Sequence, residues 1–182
     1  MTKELPQRHR RYSIGASGFE ADSLGPGLYI VATPIGNLGD MTLRGLATLA
    51  AADTVLCEDT RITARLLERY AIRVPLSSYH EHNAAKVRPG ILARLKDGAC
   101  IALVSDAGMP LVSDPGYRLV REAIAEGIPV TACPGPSAVL TGLALSGLPS
   151  DRFAFFGFMP QKSGERKKLL GEIAALRTTL VF

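Results

Sequence analysis

The feature that most constrains the fold is a regular alternation of short apolar segments with amphipathic segments, which begins at Leu28. The apolar segments, of which residues 28–33 and 99–105 are the clearest, are typical of buried strands. The segments between them repeat apolar residues at helical spacing. Strands that alternate with amphipathic helices predict an α/β fold with a mainly parallel sheet covered on both faces.

The same pattern places the individual elements. We predict strands over residues 28–33, 54–57, 76–79, 99–105, 128–132 and 153–156, and another that begins at Thr179. We predict helices over residues 42–51, 61–70, 84–96, 137–145 and about 164–176, although Pro89 is unfavourable inside the third. A further helix is expected to start at Asp114-Pro115, with Asp114 as N-cap, and to stop at Gly127.

Domain organisation follows from where this alternation starts and restarts. Residues 1–26 mix polar with small residues and are predicted to form a disordered leader. An N-terminal α/β domain is expected over residues 27–149, and a second α/β domain over residues 150–182. Because the last predicted strand is interrupted at Phe182, we expect this second domain to be truncated.

Composition excludes several classes of protein. No apolar run approaches the roughly 20 residues of a membrane-spanning helix, and the first 25 residues contain no apolar segment typical of a secretory signal. The three cysteines, Cys57, Cys100 and Cys133, lie in apolar stretches without CxxC spacing. We therefore predict reduced core thiols and a cytoplasmic protein.

The formal net charge of +4 is concentrated near the end of the chain. Residues 151–182 hold 6 basic and 3 acidic residues, with a basic cluster at Arg166, Lys167 and Lys168. A polyanion such as RNA would suit this segment, and so would an ordinary solvated helix face.

Three Gly- and Pro-rich turns follow predicted strands, at residues 33–40, 105–116 and 134–138. In open parallel sheets, ligands bind outside the carboxyl ends of the strands. Each turn alone is explained by the tight connections of the fold, but three at successive strand ends indicate one shared crevice. The turns contain neither GxGxxG nor GK[ST], so a dinucleotide site and a phosphate loop are not supported.

Charged and imidazole side chains follow two other strands. Glu58, Asp59 and Arg61 stand at the start of a predicted helix, where they suit either a polar substrate or helix capping by Asp59. His80 and His82 would share one face of a strand, but no third metal ligand is evident in the sequence. We therefore predict no metal, and interpret this segment as a polar loop facing the substrate.

Four segments taken together resemble a known family. In chain order they are LYIVATPIGNLGDMTLRGLATLAAADTVLCEDTR, LVSDAGMPLVSDPGYRLV, PGPSAVLTGLALSGLP and FFGFMP. They resemble the branch of the tetrapyrrole methylase superfamily that modifies small-subunit ribosomal RNA. The resemblance covers about residues 27–182 and leaves residues 1–26 outside it.

The resemblance implies a class III, tetrapyrrole methylase-like fold of two domains, with S-adenosylmethionine held between them. It also implies a homodimer that methylates the ribose 2′-hydroxyl of a cytidine in the decoding region of 16S rRNA, within the small ribosomal subunit. The positions it assigns to the methyl donor are Pro34, Gly108, Met109, Val112, Ser137 and Ala138. Met109 stands where the family often has threonine, which puts a hydroxyl contact there in doubt.

Such a reaction needs a group that takes the proton of the 2′-hydroxyl. Glu58, Asp59 and His80 are the titratable candidates, and Arg61 is a candidate for holding a phosphate or orienting the acceptor. Two alternatives stay open: methylation of a tetrapyrrole precursor, and a catalytically incomplete domain that binds the ribosome. The EDTR segment and the second turn favour the ribosomal branch over tetrapyrrole enzymes.

Overall fold

The structure is a computed structural model that describes residues 10–113 and 115–182. The chain divides into two compact units, one through Pro136 and the other Ser137–Phe182. The domain boundary expected after residue 149 lies later in the chain than this division.

The first unit contains a hairpin followed by alternating strands and helices. Its elements are β1 (Arg11–Ile14), β2 (Ser17–Glu20), β3 (Gly27–Val31), α1 (Leu43–Ala51), β4 (Thr54–Cys57), α2 (Thr60–Arg69), β5 (Leu76–Ser78), α3 (Glu81–Lys96), β6 (Cys100–Leu103), α4 (Tyr117–Ala125) and β7 (Val130–Cys133). Five strands form one sheet in the order β5-β4-β6-β3-β7, and every adjacent pair is parallel. The prediction of a parallel α/β sheet is confirmed.

Each face of this sheet is covered by a pair of helices. One apolar cluster joins the sheet to α1 and α2, and the other joins it to α3 and α4. The central strands therefore have both faces buried. Neighbouring residues such as Val55 and Leu56 on β4 are both apolar and buried, because neither face of the strand contacts solvent.

The expectation that residues 1–26 are disordered is wrong for residues 10–26; residues 1–9 lie outside the described part. The strands β1 and β2 pair antiparallel through a two-residue turn, in which Gly15 has φ +59°. Tyr12 is buried in the cluster on the α1 and α2 face, and Ser13 N donates to Tyr70 O at 2.7 Å. Apolar burial by Tyr12 therefore holds the hairpin in place.

We expect Tyr12→Ala to lower the free energy of unfolding by about 2 kcal/mol, because it removes a buried ring at the edge of the core. Urea unfolding of the variant and the unmodified protein measures the difference. Ser17→Ala, at an exposed position of the same hairpin, is the matched control and should leave stability unchanged. Equal stability of the Tyr12 variant would mean that the hairpin does not contribute to the core.

Two helices, α3 and α4, begin more than one residue away from their predicted starts. The helix α3 starts at Glu81, three residues early, because Asn83 Oδ1 accepts from His80 N at 2.9 Å and forms an N-terminal cap. It continues through Pro89. The helix α4 starts at Tyr117 after Gly116, whose φ is +129°, so Pro115 does not occupy the first helical position. The predicted N-cap, Asp114, lies outside the described residues.

The second unit contains α5 (Ala138–Leu145), β8 (Phe153–Phe155), α6 (Ser163–Ile173) and β9 (Thr179–Val181). The strands β8 and β9 pair in parallel, and the rings of Phe156 and Phe182 stack at 5.8 Å. Lys167 and Lys168 are exposed on α6. Among the described residues, no helix has the length and apolar character required to cross a membrane.

Candidate active site

The strand order brings four carboxyl ends together at one edge of the sheet. The strands β4, β6, β3 and β7 are neighbours in that order and run parallel. The turns predicted to hold a ligand after β3, β6 and β7 therefore begin side by side, with Glu58-Asp59 after β4 beside them.

The turns after β3 and β6 are joined by backbone hydrogen bonds. Thr33 N donates to Gly108 O at 2.9 Å, and Gly108 N donates to Thr33 O at 3.0 Å. Two buried hydroxyls strengthen this contact: Thr33 Oγ1 donates to Ser105 O at 3.0 Å, and Ser105 Oγ donates to Gly108 O at 3.1 Å. The side chains of Thr33 and Ser105 thus fix the backbone of the two turns.

Glycine is required where these turns approach their neighbours. Gly108 has φ +86°, and a Cβ placed on it would lie 3.3 Å from Ile35 Cγ2. A Cβ on Gly135, in the turn after β7, would lie 3.0 Å from Ala32 Cβ. The two glycines therefore let the turns pack closely against Ile35 and Ala32, which a side chain at either position would prevent.

The turn after Gly108 contains strained backbone. Leu111 has φ +73° and Ser113 has φ +63°, values in the left-handed region that residues with a Cβ rarely adopt. Val112 lies between them and is 41% exposed. Such strain is characteristic of ligand-binding turns.

Asp59 caps α2 and holds Arg61. Its Oδ1 accepts from Arg61 N at 2.8 Å, and its two oxygens accept from Nε and Nη2 of the Arg61 guanidinium. The side-chain hydrogen bonds from Arg61, followed by its backbone N–H, lower the pKa of Asp59 to about 2. Because the folded-state pKa lies below the ordinary 3.8, the stabilisation by this pair is present above pH 3.8 and is lost as pH falls through about 2.

We expect Arg61→Gln to raise the pKa of Asp59 from about 2 towards the ordinary value of 3.8, because the charged donor to the carboxylate is removed. A carbon-detected NMR titration of the Asp59 side chain measures this change. Arg65→Gln on the same helix serves as the control and should leave the titration unchanged. An Asp59 pKa that stays near 2 in the Arg61 variant would contradict the assignment of the shift to Arg61.

The other two candidates, Glu58 and His80, follow the neighbouring strands β4 and β5. Glu58 is exposed directly after β4. His80 follows the neighbouring strand β5 and precedes α3, where Tyr79 N donates to Cys57 O at 2.8 Å. His80 Nδ1 is buried and has no hydrogen-bond partner in the described part of the chain. The rings of His80 and His82 make an edge contact at 5.9 Å, and the described residues contain no group of three metal-binding side chains.

A cavity that the sequence analysis did not identify opens between α2 and the turns after β3 and β6. Its volume is about 260 Å³, and its lining residues are Thr33, Pro34, Leu38, Ile62, Thr63, Arg65, Leu66, Ser105 and Asp106. Asp106 Oδ1 accepts from Asp59 N at 3.1 Å, so the cavity joins the Asp59–Arg61 pair. The Tyr70 hydroxyl donates to Leu38 O and supports one wall. In the sequence, the dipeptide Ser-Asp occurs twice in the turn after β6, at residues 105–106 and 113–114, and this repeat could have identified Asp106 as a candidate.

The residues assigned to the methyl donor are divided between the units. In the first unit, Pro34 lines the cavity, Gly108 belongs to the bonded turns, and Met109 packs partly against the cluster on the α3 and α4 face. In the second unit, Ser137 Oγ accepts from Leu140 N at 3.5 Å and caps α5, whose first residue is Ala138. The donor-binding roles of these residues stay predictions.

Known structures share this fold. A conserved hypothetical protein from Aeropyrum pernix K1 superimposes with a TM-score of 0.64 at 24% identity, over 86% of this chain and 57% of that one. Uroporphyrin-III-C-methyltransferase from Thermus thermophilus superimposes with a TM-score of 0.54 at 23% identity, over 71% and 58%. The expectation of a class III methyltransferase fold is confirmed.

Curated relatives are more similar in sequence. The chain is 57% identical over 169 residues to "Ribosomal RNA small subunit methyltransferase I" of Mesorhizobium japonicum, covering 93% of this chain and 58% of the relative. It is 49% identical to the protein of that name from Escherichia coli O157:H7, covering 89% and 57%. The chain therefore spans a little more than half the length of these relatives. The family model for tetrapyrrole (corrin/porphyrin) methylases matches residues 27–182, and with the fold this shows that the chain belongs to that family.

Proposed function

We propose that this protein is an S-adenosylmethionine-dependent methyltransferase that modifies the ribose 2′-hydroxyl of a cytidine in the decoding region of 16S rRNA. We further propose that it acts as a cytoplasmic homodimer on the small ribosomal subunit. The observation that carries the proposal is the cavity beside the turns after β3 and β6, which the Asp59–Asp106 hydrogen bond joins to the Asp59–Arg61 pair. The 57% identity to a relative named for small-subunit ribosomal RNA methylation supports the choice of acceptor.

The bonded turns suit the donor. When bound, S-adenosylmethionine supplies a methyl group on a positively charged sulfur. We propose Pro34, Gly108, Met109 and Val112 of the first unit, and Ser137 and Ala138 of the second, as donor-binding residues. Gly108 lets the turn after β6 pack against Ile35, and the Thr33–Gly108 hydrogen bonds hold that backbone rigid. Rigid positioning matters because methyl transfer needs oxygen, carbon and sulfur in line.

The polar groups after β4 and β5 suit the acceptor. As the ribose oxygen attacks the methyl carbon and the carbon–sulfur bond breaks, the hydroxyl proton must pass to a base. Asp59 is poorly suited to this role, because a pKa of about 2 makes it a weak base and Arg61 already occupies its oxygens. We propose that Glu58 or His80 accepts the proton. Asp59 then acts as a positioning residue that holds Arg61 towards the acceptor.

Mapping of 2′-O-methylation on 16S rRNA, from cells with and without the gene, tests this function. We expect the deletion to remove one methyl mark in the decoding region, and a plasmid copy of the gene to restore it. A copy with Glu58→Gln or His80→Gln should identify the base by failing to restore the mark. An unchanged methylation map in the deletion strain would exclude the ribosomal substrate and direct attention to tetrapyrrole acceptors.

A further inference from the structure

The outer face of α2 presents three arginines in a row. Arg61, Arg65 and Arg69 follow each other at four-residue intervals and are exposed. Four residues of α-helix advance about 6 Å, so these side chains lie on one face at regular steps. We call these three residues the arginine row. It begins at the Asp59–Arg61 pair, passes the cavity at Arg65 and ends in the last turn of α2.

Folding accounts for only part of this row, since the helix dipole favours Arg69 in the last turn of α2 but does not favour Arg65 in mid-helix. Arg61 pairs with Asp59, but Arg65 and Arg69 form no ion pair with any described residue. Like charges four residues apart repel each other and reduce helix stability. The acidic residue of α2, Glu68, is exposed and forms no ion pair among the described residues. A ligand with regularly spaced negative charges would relieve the repulsion, and a nucleic acid backbone is such a ligand.

The cavity beside the row has the character of a site for one nucleobase. Arg65 lines it, and the side chains of Ile62 and Leu66 offer apolar walls to a planar ring. Asp106 provides a carboxylate in the same cavity. A carboxylate accepts a hydrogen bond from the exocyclic amino group of cytosine. The volume of about 260 Å³ suits one nucleoside better than a macrocycle.

We propose that the arginine row binds the phosphates of a single-stranded RNA segment, and that the cavity receives one unstacked base of that segment. This inference rests on the proposed function, since it assigns the acceptor to a surface of the same site. Sequence-specific proteins read RNA mainly in single-stranded regions, where bases can leave the stack. Arg65 belongs to both parts, because it lies in the row and lines the cavity.

The row is tested with the double variant Arg65→Gln/Arg69→Gln, assayed on small ribosomal subunits from cells that lack the gene. We expect KM for the subunit to rise at least tenfold and donor affinity to stay unchanged. The slope of log affinity against log salt should fall by about 1.4, because two phosphate contacts to a single strand are lost. The matched control is Arg118→Gln/Arg121→Gln, which removes the same charge from α4 on the opposite face of the sheet. Its KM should change less than twofold.

The cavity is tested with Ile62→Trp. Ile62 is 43% exposed at the cavity, so a larger side chain should block the opening without disturbing the core. We expect kcat/KM for the subunit to fall at least tenfold while the affinity for S-adenosylhomocysteine stays unchanged, which assigns the loss to the acceptor rather than the donor. Ile124→Trp, at a 62% exposed position on α4, is the control and should retain activity. Full activity of the Ile62 variant would exclude a base in the cavity.

A photoreactive residue at position 65 identifies the occupant of the row. We expect ultraviolet crosslinks to 16S rRNA near the methylated nucleotide. Crosslinks to ribosomal proteins alone, or an unchanged KM and salt slope in the Arg65/Arg69 variant, would overturn the inference while the proposed function remained. If the unmodified protein methylates no subunit, the proposed function fails, and this inference fails with it.

Discussion

Gly27→Ala is expected to lower the free energy of unfolding by about 3 kcal/mol or more, a larger loss than we expect for Tyr12→Ala. Gly27 begins the strand β3 and has φ +149°, in the region that residues with a Cβ rarely adopt. A Cβ at this position would lie 2.6 Å from Pro129 O. That carbonyl accepts from Leu28 N at 2.9 Å, so it cannot move without loss of a hydrogen bond between β3 and β7.

Urea unfolding measures this effect. Gly25→Ala is the matched control, because a Cβ there would meet only the Tyr29 hydroxyl at 4.0 Å. We expect the control to unfold at the same urea concentration as the unmodified protein and the Gly27 variant at a much lower one. Similar midpoints for the two variants would mean that the sheet can shift to accommodate a side chain at the start of β3.

The parallel sheet could be predicted because its signal is local. Each residue of β4, Thr54–Cys57, is buried, and its predicted limits agree with the structure. The limits of α3 and α4 were less predictable, since they depend on caps. Asn83, which bonds to His80 N, and Gly116, whose φ is positive, determine where these helices begin. Neither residue changes the apolar period by which helices are recognised in a sequence.

The hairpin was missed because its stabilisation is not local. Tyr12 has few apolar neighbours in sequence, and although its ring stacks on Phe19 of β2, it is buried in the apolar cluster that includes residues from α1 and α2. The backbone N–H of Ser13 donates a hydrogen bond to the carbonyl oxygen of Tyr70, and the Tyr70 hydroxyl donates one to the carbonyl oxygen of Leu38. A signal was present in Gly15, since glycine at the first position of a two-residue turn favours a hairpin.

The candidate site could be predicted in part. The turns after β3 and β6 were expected to meet because carboxyl ends of parallel strands share an edge, and the Thr33–Gly108 hydrogen bonds join them. The cavity was not predicted, since Arg65 and Asp106 come together only through the packing of α2 on the sheet. The choice between capping and substrate binding for Asp59 was also open in the sequence. Its hydrogen bonds to Arg61 favour capping and positioning over proton transfer.

Gly108→Ala is expected to lower the affinity for the methyl donor at least tenfold, with a smaller effect on stability. Gly108 and Gly98 have nearly equal backbone angles, φ +86° and +89°. An alanine therefore causes similar backbone strain at either position, of about 1 kcal/mol. The positions differ in their surroundings. A Cβ at Gly98 would lie 3.9 Å from Pro26 Cγ, whereas a Cβ at Gly108 would crowd Ile35 and displace the turn bonded to Thr33.

Calorimetric titration with S-adenosylhomocysteine, together with urea unfolding, separates these two effects. We expect both variants to lose stability, Gly108→Ala somewhat more because its Cβ also crowds Ile35. Only Gly108→Ala should lose affinity, because a displacement of about 1 Å at a binding turn is costly. Equal affinities in the two variants would remove Gly108 from the donor site and leave it a residue required by the fold. A loss of affinity confined to Gly108→Ala would tie the turn after β6 to the ligand, since strain of the same size at Gly98 leaves binding intact.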